Sequence, residues 1–190
     1  MQPGKILILN GTSSSGKSSI LEALQTTLDD PYLNAGLDKF IWMLPARYLD
    51  RPLWDQVLGL ADESGPLGHR LVSGMHHTIA ALSRAGNNVL ADHVLVEPSW
   101  VREAAETFAG LPAYLIGIRC PLEVVEEREK ARRDRTLGQA RTQFDLVHSH
   151  GVYDLEVDTS VESVEACAER IRAYLRVGSE PSAFQRLRQR

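Results

Sequence analysis

Gly11-Thr12-Ser13-Ser14-Ser15-Gly16-Lys17-Ser18 forms a complete G-x-x-x-x-G-K-S pattern. These residue types are the ones needed to hold a chain of phosphates. Glycines let the backbone curl around an anion, so that successive N–H groups point inward. Lys17 is long enough to reach the β- and γ-phosphates, and the Ser18 hydroxyl can ligate Mg²⁺. The flanks also suit the motif. Lys5 to Asn10 is an apolar run that reads as a buried strand, and Ser18 to Gln25 reads as a helix. A helix starting here adds its positive end to the site. Residues 11–19, through Ser19, are therefore expected to bind a nucleoside triphosphate.

Phosphoryl transfer needs acids beside that loop. Val89-Leu90-Ala91-Asp92 is an apolar run ending in a carboxylate. Asp92 can hold Mg²⁺ directly or through water, or it can cap the turn after the strand. His93 follows and reads as a satisfied, partly buried histidine, with the acceptor pocket as the alternative. Ala35-Gly36-Leu37-Asp38 reads as the end of a short strand. Open α/β sheets bind ligands at the carboxyl ends of their strands. Asp38 can orient an acceptor hydroxyl and take its proton, or it can cap a helix beginning at Lys39.

Arg128, Arg132 and Arg135 recur at spacings of four and three and share one helical face. A charge run of this kind is ordinarily a solvated face, with Glu129 and Asp134 as ion-pair partners. Beside a phosphate loop it reads instead as a mobile lid over about 128–140, with Gly138 helping it bend and guanidiniums closing on the triphosphate. Ile41, Trp42, Met43, Tyr48 and Trp54 pack a core or wall an acceptor pocket. Asp158-Thr159-Ser160 forms a turn near the nucleotide base or a helix cap. His69, His76 and His77 lack carboxylate or Cys partners at metal-ligand spacing and read as non-metal.

The elements that must position these groups alternate between strand-like and helix-like patterns, which is the mark of a parallel α/β sheet. Strands are expected at 5–10, 33–37, 88–92, 113–119 and 154–157. Helices are expected at 18–28, 39–49, 68–85, 99–109, 121–131, 139–149 and 161–175. The last carries the stripe Val161, Val164, Ala168, Ile171 and Leu175. The Asp50–Gly68 stretch, with Gly65-Pro66, is expected to include a loop. One domain over 1–177 and a C-terminal tail over 178–190, frayed or weakly packed, complete the reading.

A chain of 190 residues with 43% hydrophobic and 24% charged residues has the composition of an ordinary globular protein. The net charge of −4 argues against a nucleic-acid partner held on a broad basic surface. Two separated cysteines, Cys120 and Cys167, suit free thiols in a reducing cytoplasm. No signal peptide or membrane helix is expected.

Several segments together resemble the chloramphenicol phosphotransferase-like family. They are Ile8 to Ser18, Gly36-Leu37-Asp38, Val89 to Val94, Gly117-Ile118-Arg119-Cys120, Glu127 to Arg135, Val147-His148 and Tyr153 to Thr159. The E-R-E-x-x-R-x-D-R and Y-D-x-E-V-D-T runs carry more specificity than the phosphate loop, which many NTPases share. The resemblance implies a relative of adenylate and shikimate kinases, with a parallel sheet and an Arg-bearing lid. The family's named member moves the γ-phosphate of ATP to a primary hydroxyl of chloramphenicol. By resemblance Asp38 is the general base, Lys17 and Ser18 serve phosphate and Mg²⁺, and Arg132 and Arg135 are lid residues. His93 stands where that member carries a second acid.

The expected whole is a single-domain α/β P-loop NTPase fold, using ATP and Mg²⁺ to phosphorylate a small hydroxylated molecule. A chloramphenicol-like antibiotic is the first candidate. Another metabolite as acceptor, or a nucleotide-binding regulator with weak hydrolysis, are the alternatives. No nucleic-acid or membrane partner is expected, and homo-oligomerisation is left open.

Overall fold

The computed structural model describes residues 2–48, 65–131, 137–178 and 180–190. A five-stranded parallel sheet runs through it in the order β2-β3-β1-β4-β5. The strands are β1 (Ile6–Asn10), β2 (Tyr32–Asn34), β3 (Asn88–His93), β4 (Ala113–Arg119) and β5 (Leu155–Asp158). Among the described residues the helices are α1 (Lys17–Thr27), α2 (Leu37–Ile41), α3 (Gly65–Arg84), α4 (Pro98–Thr107), α5 (Leu122–Ala131), α6 (Gln139–Val147), α7 (Val164–Val177) and α8 (Ala183–Arg188). A short 3₁₀ turn covers Ala46–Tyr48.

β1 is the central strand and every one of its residues is buried. Period-2 alternation sends its side chains to both faces of the sheet. Ile6 and Ile8 join a cluster with Met75, Ile79, Trp100 and Phe108, while Leu7 and Leu9 join Ile20, Leu24, Ile118 and Ile171. Helices therefore cover both faces, as a parallel sheet requires. In this register Leu9 stands beside Asp92, and Asn10 beside His93. The phosphate loop and the acidic end of β3 thus open from one edge of the sheet.

Four boundaries differ from the sequence reading. β2 ends at Asn34, because the Asn34 Oδ1 accepts the Gly36 N–H at 3.1 Å and turns the chain. Asp38 consequently lies in the first turn of α2 and not at a strand end. The expected 39–49 helix is only α2 and the 3₁₀ turn, as far as the described residues extend. Gly65-Pro66 opens α3, since proline is tolerated in a first helical turn; Asp50 to Ser64, including Trp54, lies outside the described residues. Ser163 caps α7 by accepting the Ala166 N–H, which leaves Val161 before the helix and exposed.

The C-terminal segment also departs from the expected frayed tail. Ala183 and Phe184 are buried, and the Phe184 ring meets Phe108 edge-on at 5.2 Å. The two Asp154 carboxylate oxygens accept the N–H groups of Leu115 and Ala183, each at 2.7 Å. Ser182 and Gln185 form a capping box at the start of α8. That S-x-x-Q pattern was present in the sequence and is the signal that could have found the helix.

Candidate active site

The segments that follow β1, β2 and β3 line a single cleft. Its lining includes Ser13, Ser14, Gly16, Lys17 and Ser18 from the phosphate loop, Asp38 from α2, and Asp92 and His93 from β3. Gln139 and Gln143 of α6 form another wall, and Leu37, Val94, Val96 and Trp100 supply apolar surface. Gly16 adopts φ +94°, a left-handed conformation that a side chain would strain. Lys17 is buried, and its Nζ donates to the carbonyls of Gly11 at 2.8 Å and Thr12 at 2.6 Å.

The hydroxyls of Ser13, Ser14 and Ser15 are buried without a hydrogen-bond partner among the described residues. Buried hydroxyls left this way are costly. Phosphate oxygens at the mouth of the loop are acceptors of the kind these donors lack. The loop's residues therefore fit a nucleotide phosphate chain. Ser18 and Asp92 offer the oxygen ligands that suit Mg²⁺.

Asp38 is half-buried at the second position of α2. The N-cap of that helix is Gly36, and no side chain caps it. Asp38 is therefore not the N-cap, and it lines the same cleft as Lys17 and Ser18. Gly36 brings this turn tightly against β3. A Cβ at Gly36 would lie 1.9 Å from the Asp92 Oδ1.

His93 is fully buried, and both its ring nitrogens are engaged. Its Nδ1 accepts the Val94 N–H at 2.7 Å, which puts the ring proton on Nε2. That proton faces the Nε2 of His76 at 3.0 Å. Burial, then the neighbouring His76, hold His93 well below the ordinary histidine range, and burial lowers His76 to about 4. Both rings are neutral near pH 7. His93 lines the cleft but has no lone pair to offer a substrate proton. No group of three or more His, Cys, Asp or Glu side chains that could hold a metal occurs among the described residues.

Arg128 reaches the loop through Thr159. Its guanidinium donates to the Thr159 carbonyl at 2.8 Å and the Thr159 Oγ1 at 2.9 Å, and that hydroxyl donates to the Ser15 carbonyl at 2.8 Å. Thr159 is thereby pinned beside Gly16. Glu129 caps α6: its two oxygens accept the N–H groups of Gly138 at 2.7 Å and Ala140 at 2.8 Å. Arg132 and Arg135, together with Asp134, lie outside the described residues.

Sequence reasoning missed Asn10, Gln139 and Gln143. Asn10 Oδ1 accepts the Leu95 N–H at 2.8 Å, while its Nδ2 donates to the Val147 carbonyl at 2.8 Å and the Tyr153 hydroxyl at 2.7 Å. It ties the end of β1 to the loop after β3 and to the end of α6. Only its place directly before the glycine of the motif hinted at a role.

A phosphate loop at the edge of a five-stranded parallel sheet, with two aspartates lining the same cleft, defines a P-loop phosphotransferase of the kinase kind. The chain belongs to the chloramphenicol phosphotransferase-like protein family, whose profile matches residues 4–176. A relative from two strains of Mycobacterium tuberculosis, bearing the name "Putative O-phosphotransferase", is 32% identical, with the match covering 100% of this chain and 90% of the relative. Among solved structures, the fold is similar to an APS kinase of Mycobacterium tuberculosis in complex with AMPPNP and APS. That match has a TM-score of 0.64 and 18% identity, and covers 93% of this chain and 99% of the other. A gluconokinase from Sinorhizobium meliloti 1021 matches with a TM-score of 0.60 and 19% identity, covering 94% and 98%. Among the described residues no helix is long and apolar enough to cross a membrane.

Proposed function

We propose that this protein transfers the γ-phosphate of ATP to a hydroxyl of a small molecule, with a chloramphenicol-like antibiotic the first acceptor to test. The observation that carries the reading is the shared cleft: Asp38 and Asp92 face the same opening as Lys17 and Ser18. The acceptor hydroxyl gives its proton to the Asp38 carboxylate as its oxygen bonds to the γ-phosphorus. The bond from that phosphorus to the β,γ-bridging oxygen breaks, and ADP leaves. Lys17 and the loop N–H groups stabilise the charge on the phosphates. Mg²⁺, when bound, would neutralise phosphate charge, and Ser18 and Asp92 would hold it.

Arg128 serves the nucleotide side through Thr159, which it holds against the loop backbone. Arg132 and Arg135 are proposed to cover the transferring phosphoryl group from a lid over 128–140. The apolar wall of Leu37, Val94, Val96 and Trp100 suits an acceptor that carries a ring or hydrocarbon face beside its hydroxyl. The test is an acceptor screen. ADP formation from Mg-ATP is measured against hydroxylated antibiotics and metabolites, and the product mass is determined. A product heavier than its acceptor by one phosphoryl group is expected. Hydrolysis of ATP with no acceptor modified across the panel would count for a nucleotide-binding regulator instead.

A further inference from the structure

The phosphate loop already has a hydrogen-bond acceptor in its mouth. The Ser13 N–H donates to the Oε1 of Gln143 at 2.8 Å, across 130 residues of sequence. Gln143 is 4% exposed, and both residues line the cleft. A turn earlier on the same face of α6, Gln139 borders the cleft with its Oε1 buried and without a partner among the described residues. This face of α6 is thus polar where it meets the loop. It is also rigidly placed. Glu129 clamps the start of α6 to α5, and Asn10 holds the carbonyl of Val147 at its end.

Two chains of bonds therefore join α5 and α6 to the phosphate loop. One runs from Arg128 of α5 through Thr159 to the Ser15 carbonyl. The other runs from Gln143 of α6 to the Ser13 N–H. They differ in how a nucleotide affects them. A carbonyl such as that of Ser15 is no ligand for an anion, so the first chain is indifferent to phosphate. The Ser13 N–H is a donor on a loop residue that lines the cleft, a group a phosphate oxygen can accept from, and one N–H cannot give a full-strength linear bond to two acceptors.

We infer that Gln143 is a positioning residue that competes with the nucleotide's phosphate for the Ser13 N–H, so that nucleotide binding releases α6 from the loop. The inference rests on the phosphate-loop reading above and adds a role for α6 to it. Its sign is unusual. Removing a side chain from a binding cleft ordinarily weakens binding, whereas removing a competitor tightens it.

The test measures affinity for a non-hydrolysable ATP analogue with Mg²⁺, and for adenosine, by titration calorimetry. Gln143→Met keeps the side chain's length and removes the acceptor. It is expected to tighten analogue binding roughly three- to tenfold, the equivalent of one neutral hydrogen bond no longer exchanged. Adenosine, which lacks phosphates, binds the variant and the wild type alike. Gln143→Glu puts a charged acceptor on the same N–H and is expected to weaken the analogue by roughly tenfold or more. Unchanged or weaker analogue binding by Gln143→Met overturns the inference.

Lys17→Ala is the control for the reading beneath it. If that variant weakens the analogue while Gln143→Met does not tighten it, only the role of Gln143 falls. If Lys17→Ala leaves binding unchanged, the phosphate-loop reading falls and the inference with it. The wild type supplies a measurement independent of variant folding. The Gln143 side-chain NH₂ resonances are expected to shift on saturation with the analogue and to stay in place with adenosine. No shift with bound analogue overturns the inference.

Discussion

Gly36 is packed so closely on Asp92 that a Cβ would stand 1.9 Å from the Asp92 Oδ1. This contact seats the start of α2 on the end of β3. It is the reason two carboxylates separated by more than fifty positions face one phosphate loop.

Gly36→Ala forces the Asp92 carboxylate into another rotamer, because the methyl group and the oxygen cannot share that space. If Asp92 holds Mg²⁺, the variant stays folded and loses turnover by roughly 10–10²-fold, the scale of a displaced catalytic group. The loss should shrink as Mg²⁺ is raised. Turnover measured against Mg²⁺ concentration checks this, and a deficit that ignores Mg²⁺ would remove Asp92 from the metal site.

Asp38→Asn separates base from scaffold. Gly36 is the N-cap of α2, so the substitution removes no cap. The substitution also takes a first-turn charge from the helix, worth about 0.3–1 kcal/mol. Single-turnover transfer should nevertheless fall roughly 10²–10⁴-fold through loss of the general base, with affinity for an ATP analogue nearly unchanged. Retained transfer would exclude Asp38 as the base. Weakened nucleotide binding would move it to the metal.

Glu129→Gln tests the clamp between α5 and α6. Both carboxylate oxygens accept backbone N–H groups, and a carboxamide has only one oxygen. Its NH₂ would face a donor, leaving a buried N–H of α6 unpaired at a cost of about 1–3 kcal/mol. Urea denaturation should show that loss, and an unchanged midpoint would contradict the clamp.

Acid should loosen the molecule early. Burial lowers His76 and His150 to about 4 and His148 to about 3, and holds His93 well below its usual range. The fold therefore prefers the neutral rings, while the unfolded chain takes up protons near pH 6.5. Their contribution is complete above about pH 6.5 and is lost as pH falls from there toward 4. His76 alone should cost roughly 1 kcal/mol between pH 6.5 and 5.5. Urea midpoints at pH 7.5 and 5.5 check this, and equal values would show that the rings are not held neutral.

The amino-acid sequence by itself determined the parts of this protein that rest on near neighbours. Gly11 to Ser18 curls because of its own glycines, between a buried strand and an amphipathic helix, and the alternation of such elements implies a parallel sheet. The end of β3 then placed Asp92 beside the loop, whereas Asp38 owes its place to the Asn34 turn that ends β2 and starts α2. Tertiary structure decided the rest, because the partners lie far apart and follow no period. Ser13 meets Gln143 across 130 residues, and Asn10 meets Val147 across 137. Glu129 sits in a charge run that reads as solvated, yet it is buried because α6 brings two unpaired N–H groups to it. His93 is occupied on both nitrogens only because α3 sets His76 beside it. Hydrogen-bond partners of buried polar groups are set by the packing of whole elements, and that packing is what the chain's local patterns do not contain.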